Sequence, residues 1–317
     1  MKKVKDIINA FGIWAILLVL FLFLSITSGN TFLTSSNLIN MVRQICVNGV
    51  VAIGATFVIC SGEFDLSSGS MAALAGCGSA MLTVNYGMNT GLAILIAILA
   101  GSAIDALVGL IVTKLKVPAF IATLGMMYVL DGLVLLMTRG TPIIGLPDNY
   151  VAIGRGYAGP IPYLVIILLI IVFIAAFVFR YLEFGRNVSA VGENATASRL
   201  AGVNVTLVKV GAFAIGGALS ALGGIMLMAR LSSGQPTAAS DVGLTAMAAV
   251  FVGGTSVTNS QGAAFKTLAG ALFIGMINNG LNLLEVNAYW QKIVLGIIIV
   301  GAIALDVYRT SKAAQNG

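Results

Sequence analysis

Long apolar runs separated by short polar stretches recur along the whole chain. A membrane span needs about 20 apolar residues, and the runs that we predict as spans are 8–28, 44–60, 69–86, 91–113, 118–138, 161–179, 207–229, 243–257, 266–285 and 291–307. Backbone groups find no water to bond inside a bilayer, so each run is expected to form a helix. The pattern therefore predicts an all-α polytopic membrane protein with about ten transmembrane helices.

The composition agrees with a membrane location. Of the 317 residues, 59% are hydrophobic and 9% are charged, and the mean hydropathy is +1.03, whereas a soluble domain carries about 25% charged residues. The first apolar run extends to about residue 27 and is longer than the core of a signal peptide, about 7–15 residues. We expect it to remain as the first helix, and we predict residues 1–317 to form a single transmembrane domain.

The basic residues predict the orientation of these spans. With the N-terminus in the cytoplasm and ten alternating spans, twelve of the seventeen Lys and Arg residues lie inside; the five outside are Arg43, Arg139, Arg155, Arg230 and Lys292. Cytoplasmic connections carry an excess of basic residues, so both termini are expected in the cytoplasm. The long connection 139–160 then lies outside, and the connection 180–206 lies in the cytoplasm.

The residue types present exclude several kinds of chemistry. The chain has no histidine, and its three cysteines, Cys46, Cys60 and Cys77, lie in or beside apolar runs, so we expect no histidine-based catalysis, metal site or cofactor. No stretch matches the phosphate-binding loop G-x-x-x-x-G-K-[ST]. We therefore expect the chain not to be an enzyme and not to hydrolyse ATP. The net charge of +6 is explained by the cytoplasmic loops, so nucleic acid is not an expected partner.

Four carboxylates lie within or beside the predicted spans: Glu63, Asp65, Asp105 and Asp131. Carboxylates inside a membrane are costly and usually face the protein interior or water. For Asp105 and Asp131, a structural contact between helices, a lining of a transport path and proton coupling all remain open. In the break at 61–69, Asp65, Ser67 and Ser68 can cap the following helix, so this break is either a capped turn or a hinge or constriction of a path.

The polar stretch 192–202 is predicted to form a short interfacial helix. Glu193 near its start and Arg199 near its end complement the helix dipole, and Gly202 suits a C-terminal stop. Its small apolar face consists of Ala197, Leu200 and Ala201. Such a face fits a cleft in a partner protein, and a helix resting on the membrane surface is the alternative.

Small residues and a weak internal similarity suggest how the helices are arranged. Gly216, Ser220 and Gly224 lie four residues apart, as do Ala271 and Gly275, and such rows let membrane helices approach closely. The breaks at 61–69 and 253–262 are both bracketed by glycine and rich in hydroxyl groups. Transporters are often built from duplicated halves, although this similarity is short.

Several segments together resemble the permeases of bacterial ABC importers for ribose and other monosaccharides. These segments are SGEFDLSSGS (61–70), PAFIATLGMM (118–127), GENATASRLAGVNV (192–205), ARLSSGQPTA (229–238), AAVFVGGTS (248–256) and NNGLNLL (278–284). The resemblance covers about residues 30–308.

The resemblance implies a multi-pass permease of the bacterial inner membrane that translocates a ribose-like sugar. Its implied partners are a cytoplasmic ATP-binding-cassette ATPase, a periplasmic or tethered sugar-binding protein and a second permease subunit, identical or different. The expected ATPase-coupling helix contains Glu193, Ala195, Ala197, Arg199, Leu200, Ala201 and Gly202. Candidates for the translocation path or a hinge are Glu63, Asp65, Ser67, Asp105, Asp131, Asn278, Asn279 and Asn282.

The chain departs from the ribose-permease pattern at Glu63, Asp105 and Asp131 and at 257–261. These departures leave the identity of the sugar open. Alternatives are an ABC permease for nucleosides or a signalling furanone, and a proton-coupled transporter that uses Asp105, Asp131 or Glu63. A membrane scaffold without transport activity has no supporting feature in the sequence.

Overall fold

A computed structural model describes residues 2–28, 31–255 and 263–315 as a helical bundle with one short hairpin. The second of the two similar breaks and the 257–261 stretch therefore lie largely outside the described residues. The helices are α1 (Lys2–Thr27), α2 (Ser35–Cys60), α3 (Ser68–Val84), α4 (Thr90–Lys114), α5 (Ala119–Thr138), α6 (Asp148–Arg155), α7 (Tyr163–Tyr181), α8 (Glu183–Glu193), α9 (Ala195–Leu200), α10 (Val205–Leu231), α11 (Val242–Val252), α12 (Ala263–Leu283) and α13 (Ala288–Gln315). Strands β1 (Tyr157–Ala158) and β2 (Ile161–Pro162) pair antiparallel between α6 and α7.

Each predicted span overlaps one of these helices. Within the described residues, α2, α4, α5, α7 and α10 are the five helices long and apolar enough to cross a membrane. The predicted start of α2 at residue 44 is wrong, because Thr34 caps an earlier start by accepting a 3.4 Å hydrogen bond from the Asn37 N–H. Polar residues in the first third of α2 interrupt the apolar run without ending the helix.

Helix α10 lies at the centre of the bundle and packs against α2, α3 and α4. Glycines permit this close packing: Gly216 faces α2, Gly217 faces Gly101 of α4, and Gly224 faces Ala72 of α3. A Cβ atom on Gly224 would lie 2.5 Å from the Ala72 carbonyl carbon and closer still to its oxygen. The predicted packing role of this row of small residues is confirmed.

Helices α4, α5 and α7 lie at the edge of the bundle and leave most of their side chains at least partly exposed. The exposed side chains are large and apolar and include Leu99, Leu136 and Phe173. Apolar surface of this extent is unfavourable in water and is normally covered by lipid or protein. The arrangement is that of an integral membrane protein.

Helix α11 corrects the prediction of a full span at 243–257. It has 11 residues and is therefore about 16 Å long, about half of the ~30 Å hydrocarbon core. Its first turn meets the first turn of α3, since a Cβ on Gly69 would lie 3.0 Å from the Gly243 nitrogen. The N-terminal ends of α3 and α11 thus meet within the bundle. In many transporters, helix ends inside the membrane place backbone N–H and C=O groups beside the substrate path.

The chain leaves α2 and α11 by the same turn. Gly62 has φ +86° and Gly254 has φ +80°, a conformation that glycine adopts without strain. In both turns the following N–H returns to the helix: Glu63 donates to the Val58 carbonyl at 3.2 Å, and Thr255 donates to the Val250 carbonyl at 3.1 Å. The described part of the second break therefore shares its geometry with the first.

The connection 139–160, predicted as a loop, contains α6 and β1. Burial of Tyr150 in α6 raises the pKa of its phenol, and its hydroxyl lies 2.7 Å from the Ser79 Oγ of α3. Arg155 Nε donates to the Arg230 carbonyl at the end of α10 at 3.0 Å. These two contacts hold the connection against α3 and against the end of α10. The strands β1 and β2 add a short hairpin to the predicted all-α fold.

The predicted single helix over 192–202 is wrong. Helix α8 ends at Glu193, Asn194 is extended with φ −155° and ψ 96°, and α9 begins at Ala195. The Asn194 side chain caps α9 by accepting a 2.9 Å hydrogen bond from the Ala197 N–H. Glu193 consequently ends one helix instead of starting the predicted one, because asparagine competes well for the free N–H groups of a helix start.

Candidate functional site

A cavity of about 480 Å³ with a mixed apolar and polar surface, called the polar cavity here for its hydrogen-bonding side chains, opens at the end of the bundle opposite α8 and α9. It lies between α2, α10, α11, α12 and α13. Carboxamide and hydroxyl side chains dominate its polar lining: Gln44, Asn48, Gln235, Thr245, Asn278, Asn282 and Gln291. Leu227, Leu231 and Leu295 contribute apolar surface.

The predicted asparagines of α12 separate into two groups. Asn278 and Asn282 are four residues apart on one helix face and both line the cavity. Gln291 Nε2 donates to Asn282 Oδ1 at 2.9 Å and to the Val286 carbonyl at 2.8 Å, which fixes the Asn282 amide. Asn279 points elsewhere and exchanges hydrogen bonds of 3.1 and 2.7 Å with Asn37 of α2, so it ties two helices together.

Three charged residues also line the cavity. Lys292 Nζ lies 3.6 Å from Asp241 Oδ2, and both side chains are mostly exposed, so this ion pair is weak. Arg230 contributes a guanidinium from the end of α10. Nearby Arg43 donates through Nη2 to the Arg155 carbonyl at 2.7 Å and stacks 4.8 Å from the centre of the Tyr157 ring.

The lining suits recognition of an uncharged polar molecule. Carboxamides both donate and accept hydrogen bonds, which matches hydroxyl groups, and small-molecule sites usually combine a few such groups with apolar walls. Within the described ranges, no group of three or more Cys, Asp or Glu residues could hold a metal ion. The arrangement can bind a small polar solute.

Asp65 and Ser67 build the turn that precedes α3. Asp65 Oδ1 accepts hydrogen bonds from the Ser67 N–H at 2.8 Å and from the Ser67 Oγ at 2.5 Å. Asp65 therefore orders the turn at Ser67, the residue that precedes α3, whereas the Ser67 side chain makes no capping bond to α3. Both side chains are buried, and neither lines the polar cavity.

Glu63 lies toward the α8–α9 end of the bundle. Its carboxylate forms a partly buried ion pair with Lys209 of α10. Both residues line a groove of about 310 Å³ together with Lys116, Ala195 and Arg199. The ion pair therefore connects the 61–67 break with α10 beside the α9 segment.

Asp105 and Asp131 occupy opposite environments. Asp105 of α4 is fully buried against Gly217 of α10, and both its carboxylate oxygens lack a hydrogen-bond partner among the described residues. Asp131 of α5 is exposed on the outside of the bundle. Neither side chain lines the polar cavity.

Helix α9 exposes the small apolar face that the sequence predicts. Ala197 and Ala201 are exposed, and Leu200 is 86% exposed. Arg199 lies in the last turn, and the following Gly202 has φ +89°, which suits a helix end. Ser198 is only 6% exposed, because the six-residue helix turns this position toward the bundle.

Several cavity residues were missed by sequence reasoning. Gln44, Asn48 and Gln291 lie in α2 and α13, inside the predicted spans 44–60 and 291–307, and were not singled out as candidates. An uncharged carboxamide inside an apolar run was the available signal, because a buried polar group requires a partner or a ligand. Lys209 was also missed as the partner of Glu63.

Comparison with known proteins places the chain among transport proteins. The family model described as "Branched-chain amino acid transport system / permease component" matches residues 37–303. The ribose import permease protein of Haemophilus influenzae is 41% identical over 285 residues, 89% of this chain and 88% of that protein. Its counterpart in Escherichia coli is 42% identical over 297 residues, 92% and 91% of the two chains.

A xylose transport system permease protein of Haemophilus influenzae is more distant. It is 30% identical over an alignment 355 positions long, gaps included, and this alignment covers 93% of this chain and 95% of that protein. No solved structure matches the chain.

Proposed function

The chain belongs to the permease-component family of branched-chain amino acid transport systems, and on that premise we propose that it is the membrane-spanning permease of an ABC importer for a ribose-like monosaccharide. The observation that carries the proposal is its similarity, at 41% and 42% identity, to ribose import permeases over about nine-tenths of its length. It is a transport component and not an enzyme, and ATP hydrolysis lies on partner subunits.

The polar cavity is the proposed outer part of the sugar path. Its volume of about 480 Å³ lies within the range of small-molecule sites, about 300–1,000 Å³. Carboxamides of Asn278 and Asn282 can accept and donate hydrogen bonds to sugar hydroxyls as the solute leaves water. The break at 61–67, tied to α10 by Glu63 and Lys209, is the proposed inner hinge.

Three partners complete the proposed importer. An ATP-binding-cassette ATPase docks in the cytoplasm on α9, the part of the loop 180–206 that presents Ala197, Leu200 and Ala201. A periplasmic or tethered binding protein delivers the sugar to the cavity end. A second permease subunit completes the membrane part.

The proposed topology has both termini in the cytoplasm, about ten membrane-embedded helices in a single domain, and a location in the bacterial inner membrane. Support comes from the twelve-to-five distribution of basic residues and from the opposite ends at which α9 and the cavity lie. In this topology α11 lies within the membrane but is too short to cross it by itself.

The proposal is tested by reconstituting the permease with its ATPase and binding protein in proteoliposomes. Uptake of radiolabelled ribose, xylose and a ribonucleoside is measured with ATP, and separately with an imposed pH gradient. We expect ATP-dependent uptake of ribose or a related sugar, and no uptake without the ATPase. Uptake driven by the pH gradient alone would instead identify a proton-coupled transporter, and preference for the nucleoside would reassign the substrate class.

A further inference from the structure

The groove of about 310 Å³ at the α8–α9 end of the bundle, called the basic groove below, carries an excess of positive charge. Lys116, Arg199 and Lys209 line it. Glu63 is the one carboxylate in the lining, and it is already paired with Lys209. No ion pair between described residues involves Lys116 or Arg199. Two cationic side chains therefore border the basic groove without a counter-charge in the described part of the chain.

The basic groove opens at a membrane surface. Residues 115–118 connect α4 to α5, and both helices are long and apolar enough to cross a membrane, so Lys116 lies where these spans end. Residues 116–119 line the groove, and on either side of them Leu115 is 71% exposed and Phe120 is 58% exposed. Apolar surface of this kind is normally covered by lipid or protein. The cationic lining thus continues directly into an apolar outer surface.

The chemistry of the lining favours a phosphate group. Arg and Lys donate strong, charge-assisted hydrogen bonds to phosphate oxygens, and the hydroxyl groups of Thr113 and Thr206, which also line the groove, can add neutral ones. A small soluble anion would use these donors but leave Leu115 and Phe120 uncovered. A ligand with an anionic head and an apolar tail uses both surfaces, so the combination is complementary to an anionic phospholipid.

We propose that the basic groove binds the phosphate headgroup of an anionic phospholipid, whose acyl chains lie along Leu115 and Phe120. Lys116 of the α4–α5 connection and Arg199 of α9 hold the phosphate, and Lys209 is shared between it and Glu63. The bound headgroup thereby joins α9 to the α4–α5 connection beside the 61–67 break. The inference rests on the proposed function in one respect, because the proposed topology places this lipid in the cytoplasmic leaflet.

Lipid titration of the purified full-length permease tests the site. Dioctanoyl phosphatidylglycerol is added in detergent and bound lipid is counted by native mass spectrometry, with zwitterionic dioctanoyl phosphatidylcholine as the comparison. Each Lys or Arg beside an anionic lipid contributes about five-fold to its attraction, so Lys116→Gln/Arg199→Gln should bind phosphatidylglycerol about 25-fold more weakly and Lys116→Gln alone about five-fold.

The matched control is Lys114→Gln/Arg186→Gln. It removes two exposed cations at the same end of the bundle, neither of which lines the groove. Salt screens charges that do not touch the ligand, so this control should weaken phosphatidylglycerol binding less than about three-fold. All four substituted side chains are exposed, and an unchanged melting temperature verifies that each variant is folded.

Several results would overturn the proposal. Equal weakening by the two double variants would show attraction by overall charge, and equal affinity of the unaltered permease for both lipids would exclude a site for anionic lipid. Inorganic phosphate that binds as tightly as phosphatidylglycerol, with the same dependence on Lys116 and Arg199, would make a free anion the ligand. Unchanged lipid binding with lost ATPase co-purification would assign the groove to the ATPase contact. Lipid binding is measured on the permease alone, so a failure of sugar uptake would count against the proposed function and not against this site.

Discussion

Replacement of Ala197 by tryptophan should separate the permease from its ATPase without disturbing the permease itself. Ala197 is exposed on α9, and its N–H is held by the Asn194 side chain at 2.9 Å. In the free subunit the indole extends into open space and displaces nothing. It meets other atoms only if a partner protein packs against this face of α9.

The expected size of the effect follows from overpacking. Extra atoms forced into a close contact typically cost about 1–3 kcal/mol, which is about a 5- to 150-fold change in an equilibrium constant. ATPase association should weaken by that factor. Ser198→Trp is not a suitable control, because Ser198 is 6% exposed and a tryptophan there would disturb the permease directly. Ala190→Trp, at an exposed alanine of α8, is the matched control.

The assay combines co-purification of the ATPase with ATP-dependent sugar uptake in proteoliposomes. Ala197→Trp should reach the membrane at the normal level, retain little ATPase and transport little sugar, whereas Ala190→Trp should retain both activities. If Ala197→Trp bound the ATPase and transported sugar as the unaltered protein does, α9 would not be the docking segment. A helix resting on the membrane surface would then be the better interpretation.

Two further predictions concern packing and topology. Gly217→Val should reduce the free energy of unfolding of the permease by about 1–3 kcal/mol or more, because a Cβ there would lie 2.6 Å from Asp105 Cβ. The melting temperature of the purified protein should fall accordingly. Gly78→Val should be nearly neutral, because no atom lies within 4 Å of the position of a Cβ on Gly78. In intact cells, an impermeant thiol reagent should label Arg155→Cys and not Arg199→Cys. Equal melting temperatures for the two valine variants, or outside labelling at position 199, would contradict these predictions.

The sequence predicts the helices well because their apolar runs reflect the solvent around them. Each predicted run overlaps a helix, and the close packing around Gly216 and Gly224 follows from small residues four apart. The length of α11 could not be predicted in this way, since an apolar run is equally compatible with a full span and with a short buried helix. The break at Asn194 depends on one capping hydrogen bond, which outweighs the helical preference of its neighbours.

The candidate site was predicted only in part because charge was given more weight than placement. Asp105 and Asp131 stand out in an apolar sequence, yet neither lines the cavity. Asn278 and Asn282 do line it, while Asn279, between them in sequence, faces Asn37. Which face of a helix meets a cavity is decided by packing between distant segments, and one sequence carries little information about that packing.

The central claim, that a sugar passes through the polar cavity under ATPase control, is tested most directly by one uptake measurement. ATP-dependent accumulation of radiolabelled ribose is compared for the unaltered permease, Asn282→Leu and Asn149→Leu, with the ATPase and binding protein present. Loss of a hydrogen bond to the solute costs about 1 kcal/mol or more, and apolar bulk in the path adds to it. Asn282→Leu should therefore reduce uptake about ten-fold, while Asn149→Leu, exposed on α6, should not. Equal uptake by Asn282→Leu and the unaltered permease, or no ATP-dependent sugar uptake by the latter, would contradict the account.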